Sequence, residues 1–441
     1  ARSPRALDYW LRAGTRAAER SANLESIQHL TRGLELLARE PASPERDERE
    51  LTFTMRLGAP LMAVKGYGAE EVEQNFSRAL DLCRRIGDDA RELVPSLWGL
   101  WLFYQVRAKY ENALEVGAKL LALAAEKAGP ELYLCAHQAL GASLFLTGAI
   151  AEARPHFEAG IALYDADAHH HMAVIFAQDP NVFCRVYLSR IDCAEGFPDR
   201  ARAGAEASIA AARALEHPHS LAFALGMTLP VYMVREEYAY IEQLSAEAMD
   251  LCTEHRLGHW LAFARFMHGA ALAHRDLDQG IATMRTGLAD WRAAGGRASL
   301  PYLHALLAQH LGRAGRVDEA LAVLHEVPAT NHEHSEHLFE SFWQRIHGKL
   351  LIRRDAPGDR AQAESLLEQA ADSAHRRGDR LEELAALTLL VTLRCSVRGV
   401  EVSEDQCAPT RARLRQLLDQ LEEGRDLPLV QAAERTLDTA G

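Results

Sequence analysis

The 441 residues carry 49 Lys and Arg against 62 Asp and Glu, a formal net charge of −13. That balance argues against a nucleic-acid backbone as the main partner, because neutralising phosphates takes clustered cations. Hydrophobic residues make up 48% of the chain and aromatics only 7%, so the expected core is Ala and Leu, small enough for helices to approach closely. No apolar run approaches the roughly 18 residues of a membrane span; the longest, around Ala385 to Leu393, is broken by threonines. The first residues show neither an initiator Met nor a signal-peptide pattern, and the chain reads as a piece cut from something longer. Cys83, Cys135, Cys184, Cys193, Cys252, Cys395 and Cys407 are scattered, odd in number and never spaced CxxC. They read as reduced thiols of a cytoplasmic protein, several of them on apolar helix faces.

In chain order, Ala6 to Arg39 reads as two helices parted by Ser21-Ala22-Asn23. Pro41 to Pro44 breaks the pattern, and Asp47 to Met62 and Glu70 to Arg85 follow as two more helices. Gly87 ends the second of these, in Ile86-Gly87-Asp88. From Leu93 onward, helical pairs follow one another. Gly148, Gly196, Gly315 and Gly358 stand where the first helix of a pair must turn back into the second. Pro155 and Pro198 fall in or just before first turns of second helices, where a missing N–H costs little. Pro230 falls inside a first helix and is expected to kink it. No strand pattern is convincing.

Ala113, Ala153, Ala201, Ile241, Gly280, Ala320 and Ala363 recur at a spacing close to 40 residues, each preceded at a fixed offset by a packing residue such as Leu140, Leu188 or Leu307. A supersecondary unit repeated at that period marks a helical solenoid. The expected fold is an all-α, right-handed α-solenoid of about nine hairpins. Its expected divisions are N-terminal hairpins over 1–92, regular repeats over 93–380 and capping helices over 381–441.

The unit Leu140-Gly141, Leu144, Gly148, Ala153, Phe157, Gly160 resembles the tetratricopeptide repeat, drawn out to about 40 residues. Longer stretches are similar to one bacterial family: Tyr9-Trp10 with Ala13-Gly14, Gly58 to Met62 with Lys65-Gly66-Tyr67, Leu97 to Trp101, Gln178-Asp179-Pro180, Ser220 to Gly226 and Met284 to Trp291. Together they span most of the chain. The family is the C-terminal tetratricopeptide-like region of large signal-transduction ATPases, some fused to class III adenylate/guanylate cyclases. The resemblance implies a regulatory, non-catalytic arm that binds a peptide, partner domain or ligand in its groove and acts on upstream ATPase or cyclase domains. The alternative is a free-standing adaptor with no linked enzyme. The chain has no GxxxxGK[ST] loop and no placeable cyclase aspartate pair, so neither a cofactor nor a catalytic residue is assigned.

Several groups bear on binding. Trp98, Trp101 and Tyr104 share one helix face, either as packing between hairpins or as an anchor for a peptide or domain. Carried by register, the groove-facing residues are Trp98 and Gln105, then Gln138, then Arg190, Arg265, Tyr302, Gln309 and Arg345. Three arginines among amides and aromatics suit an acidic or carboxylate-bearing peptide. His169-His170-His171 behind Asp165 and Asp167 reads as a solvated turn rather than a metal site, since adjacent histidines do not converge on one ion. His332, Glu333, His334, Glu336 and His337 miss the HExxH pattern, because 336 is Glu; they read as an exposed loop, with His332 and His337 a low-affinity pair if that loop is helical. Asp179-Pro180 is the cap and first turn of a helix, and Arg377-Gly378-Asp379 is a helix end with Gly at the cap.

Overall fold

The structure, a computed structural model, describes residues 3–20, 22–87, 92–127, 129–176, 178–326, 336–395 and 404–439. His332, Glu333 and His334 lie outside the described residues. Every regular element among the described residues is a helix, and the expected all-α class of stacked helical hairpins holds.

The chain divides into two compact units. One comprises Ala1–Leu140 with Trp291–Ala298; the other comprises Gly141–Asp290 with Ser299–Gly441. In the first unit, Ser3–Glu19 pairs with Asn23–Leu37, Pro44–Lys65 with Glu70–Ile86, and Leu93–Val106 with Tyr110–Lys127. Leu7, Leu30, Phe53, Val72, Phe76 and Phe103 form its core. In the second unit, the pairs are Pro180–Ala194 with Pro198–Ala214, Pro218–Val234 with Tyr238–Glu254, Leu300–Arg313 with Val317–Leu324, and Glu340–Arg354 with Asp359–Arg377. Arg380–Cys395 packs with Glu404–Asp419 and with Pro428–Thr439.

The repeated alanine register has a direct packing cause. Ala113, Ala153, Ala201, Ile241, Ala320 and Ala363 are all fully buried, each on the second helix of a pair. At Gly280 the approach is closest: a Cβ there would lie 2.5 Å from the backbone N and Cα of Ala273. Only a small residue lets the second helix cross the first at that distance. The turns are equally legible. Gly148, Gly196, Gly315 and Gly358 have φ between +76° and +88°, the left-handed region that a Cβ disfavours.

Helix starts follow capping chemistry. Ser43 Oγ accepts from Arg46 N, and Pro44 occupies the first turn, where its missing N–H costs nothing. Asn23 is itself the first residue of its helix, with Ala22 at the cap. Pro198 opens its helix as expected, but Pro155 lies beyond the first turn of Ile150–Leu163, which runs through it. Pro218–Val234 likewise continues through Pro230.

The two ends of the second unit meet. Cys193, Ala201 and Val231 share one apolar core with Leu381, Leu417, Leu421 and Val430. Glu423 Oε2 accepts from the backbone N–H of Asp199 and of Arg200, at 2.9 and 3.0 Å, supplying the cap that Phe197 cannot give to Pro198–Ala214. Five cysteines are free and buried, as small hydrophobes. Cys395 and Cys407 depart from the all-thiol expectation and form a disulfide, because the helices Arg380–Cys395 and Glu404–Asp419 bring their Cα atoms to 6.1 Å.

Candidate binding cavity

Inside the second unit lies a cavity of about 430 Å³. Its wall comes from several first helices of the repeats: Phe145, Arg190, Pro230, Tyr302, Gln309, Phe342, Arg345 and Thr388. Leu429 and Ala432 of the last helix close one side. Four residues that the register placed in a groove, Arg190, Tyr302, Gln309 and Arg345, meet here.

The polar groups of this wall are unequally satisfied. Arg345 Nε and Nη2 reach Glu382 Oε1 and Oε2 at 2.5 and 3.2 Å, a two-pronged ion pair that cancels both charges. Arg190 is different. It is 8% exposed, its guanidinium lies 4.9 Å from the ring centre of Phe145 and 5.9 Å from that of Tyr187, and its Nη1 has no hydrogen-bond partner among the described residues. Burial drives the Arg190 pKa below the ordinary arginine value. The facing rings offset part of the lost hydration but donate no anion. Tyr302 packs on Phe339 and Phe342, with ring centres 5.0 and 5.5 Å away. Across the cavity, burial followed by the nearby Glu382 pushes the carboxyl of Asp379 up to about 7, while its Oδ1 accepts from Glu382 N at 3.1 Å.

Arg265 lies on Gly258–Leu272 and is ion-paired with Asp290, away from this wall. The remaining register candidates belong to the first unit. Trp98 and Trp101 are 4% and 2% exposed, their ring centres 4.5 Å apart, and Trp101 Nε1 donates to the carbonyl of Ala139. Of their two readings, packing is the one this burial supports. Tyr104 is half-buried beside Phe103. Gln105 and Gln138 are buried; Gln105 Oε1 and both polar atoms of the Gln138 amide have no partner among the described residues.

Local motifs resolve as structure. Asp179 Oδ1 accepts from Val182 N at 3.0 Å, and Oδ2 accepts from Tyr164 OH at 2.6 Å. Asp165 caps the short turn Ala166–His169. There His169 is buried and accepts from Asp165 N, while His170 and His171 are exposed. Gly378 ends Asp359–Arg377 with φ +74°, and Arg377 is spent on Ser373 and Ser341. Among the described residues no group of three or more His, Cys, Asp or Glu is arranged to hold a metal ion, and no helix is long and apolar enough to cross a membrane.

The register missed Phe339, Phe342, Asp379 and Glu382. Phe342 sits three residues before Arg345, a same-face spacing that was available in the sequence. Glu382 and the closing residues Leu429 and Ala432 reach the cavity only through tertiary folding.

No family model matches the chain. An uncharacterized protein of Rhizobium meliloti (strain 1021) is 27% identical over 365 residues, 81% of this chain and 34% of that protein. The chain thus spans about a third of that relative's length. Among solved structures, a Rap protein complexed with competence and sporulation factor is 12% identical, with 95% of this chain and 98% of that one covered at a TM-score of 0.37. A signal transduction ATPase with numerous domains and a tetratricopeptide repeat sensor, from Pyrococcus horikoshii, is 11% identical, with 94% and 64% covered at a TM-score of 0.41. At that identity these are likenesses of fold alone.

Proposed function

We propose that this chain is the effector-binding, non-catalytic arm of a larger signalling protein, a signal-transduction ATPase or nucleotide cyclase, and that its effector occupies the cavity of the second unit. The observation that carries the reading is the cavity itself: a ligand-sized space walled by several repeats and holding a buried cation with an unsatisfied N–H among the described residues. The sequence resemblance to the repeat region of signalling ATPases supports the attached enzyme, as does a relative of which the match covers only 34%. Because the wall draws on most hairpins of the unit, an occupant that prefers one arrangement of them shifts the population of the arm, and with it the resting state of the attached domains.

The test uses the full-length gene product. Ala385→Phe fills the cavity from the wall side, and ATP turnover and cyclase output are compared with wild type. Turnover that becomes fixed, unresponsive to cell extract that modulates the wild type, is expected. Identical turnover and identical response in the two proteins would refute the regulatory reading.

A further inference from the structure

Resting on that reading, we propose that the cavity takes a monoanionic carboxylate on an apolar body, its carboxylate gripped by Arg190 and its body lying against Phe145, Phe342 and Leu429. Three observations carry this. First, charge: the Arg345 charge is already cancelled by Glu382, so Arg190 is the wall guanidinium left without an ion partner among the described residues. At the rim the exposed Lys349 and Glu236 carry opposite charges, so the buried Arg190 is the wall cation that calls for one negative charge. Second, geometry: a guanidinium presents paired donors at the spacing of carboxylate oxygens, and the two rings beneath Arg190 fix its plane. Third, size and surface: about 430 Å³ with aromatic and aliphatic walls admits a medium-length chain or a few residues, and excludes a helix or folded domain. Burial raises the Asp379 carboxyl, so it presents less opposing charge than an ordinary aspartate would.

The chemistry has two sources, a free acyl or aryl acid and the C-terminal end of a short apolar peptide. Calorimetric titration of the chain with decanoate, decanol and decyl phosphate separates charge from apolar burial. N-acetyl-Val-Leu-Leu as free acid and as amide supplies the peptide arm. At least tenfold tighter binding of the acid over its neutral analogue is expected in one arm, and the arm with the tighter acid names the source. Arg190→Gln should abolish that difference while leaving decanol binding unchanged, and Arg190→Lys should retain part of it. Glu382→Gln, which uncovers Arg345, should raise decyl phosphate affinity at least tenfold; this gain cannot come from misfolding. Equal binding of acid and neutral analogue, or no carboxylate binding at millimolar concentration, overturns the proposal. Carboxylate binding alongside unaltered full-length turnover in Ala385→Phe would keep the ligand class and sink the regulatory reading; the opposite pattern sinks only the ligand class.

Discussion

Arg190, Arg265 and Arg345 carry the same guanidinium and the same expected register, yet their neighbours give them different work. Asp290 and Glu382 neutralise two of them, while Arg190 faces rings. Neutral side chains are subject to the same local logic. Burial, with nearby cationic or imidazole groups adding, lowers His259 and His310 to about 3 and His274 and His347 to about 4. In the unfolded chain these groups titrate near 6.5, so below that pH the unfolded state takes up protons that the folded state refuses. Stability is therefore full above about 6.5 and falls as pH drops toward 4. Asp379, raised to about 7, acts oppositely, favouring the folded state as pH falls, but is one group against four. Urea midpoints at pH 7.5 and pH 5 should differ, with the lower midpoint at pH 5, and His310→Gln should narrow the gap. A gap of unchanged width would mean that His310 is protonated in the folded chain.

At the scale of elements, the alanine register is a statement about interhelical distance. Gly280→Leu must displace the backbone of Ala273, and we expect a loss of about 2–3 kcal/mol by denaturant titration. Gly258→Ala, where a Cβ meets nothing within 4 Å, serves as the matched control and should change little. This layer was legible in the sequence because its causes are local: the cap at Asp179, left-handed glycines at turns, and small residues at one register position. The cavity was legible only in part. Arg190, Tyr302, Gln309 and Arg345 could be placed by counting along repeats, since the inner face of first helices recurs. Their partners could not, because whether an arginine is free or paired depends on a residue such as Glu382 on another hairpin. The same limit applies to Trp98 and Trp101, whose shared face is compatible with a core or an anchor until the helix packed over it is known.

For the molecule as a whole, an open helical repeat array is stabilised by nearest-neighbour contacts. The second unit adds a contact between residues 224 apart, Glu423 to Asp199. Glu423→Ala removes the acceptor for two backbone N–H groups and should cost about 1 kcal/mol. Hydrogen exchange should quicken together in 198–214 and 404–439, while Glu423→Gln keeps most of the protection. Quickening confined to the substituted turn would show that the two ends are held by apolar packing alone.

That closure also imposes an order on biosynthesis. The helix Pro198–Ala214 leaves the ribosome with its first amides uncapped, and Glu423 follows 224 residues after Asp199. At bacterial and eukaryotic elongation rates the delay is on the order of 10 to 45 s. During that interval the cavity lacks Leu429 and Ala432, and the apolar surface around Cys193 and Val231 is bare. A nascent chain of this protein is thus open to chaperones, and to any hydrophobic occupant, until Glu423 and the helix Pro428–Thr439 have been made.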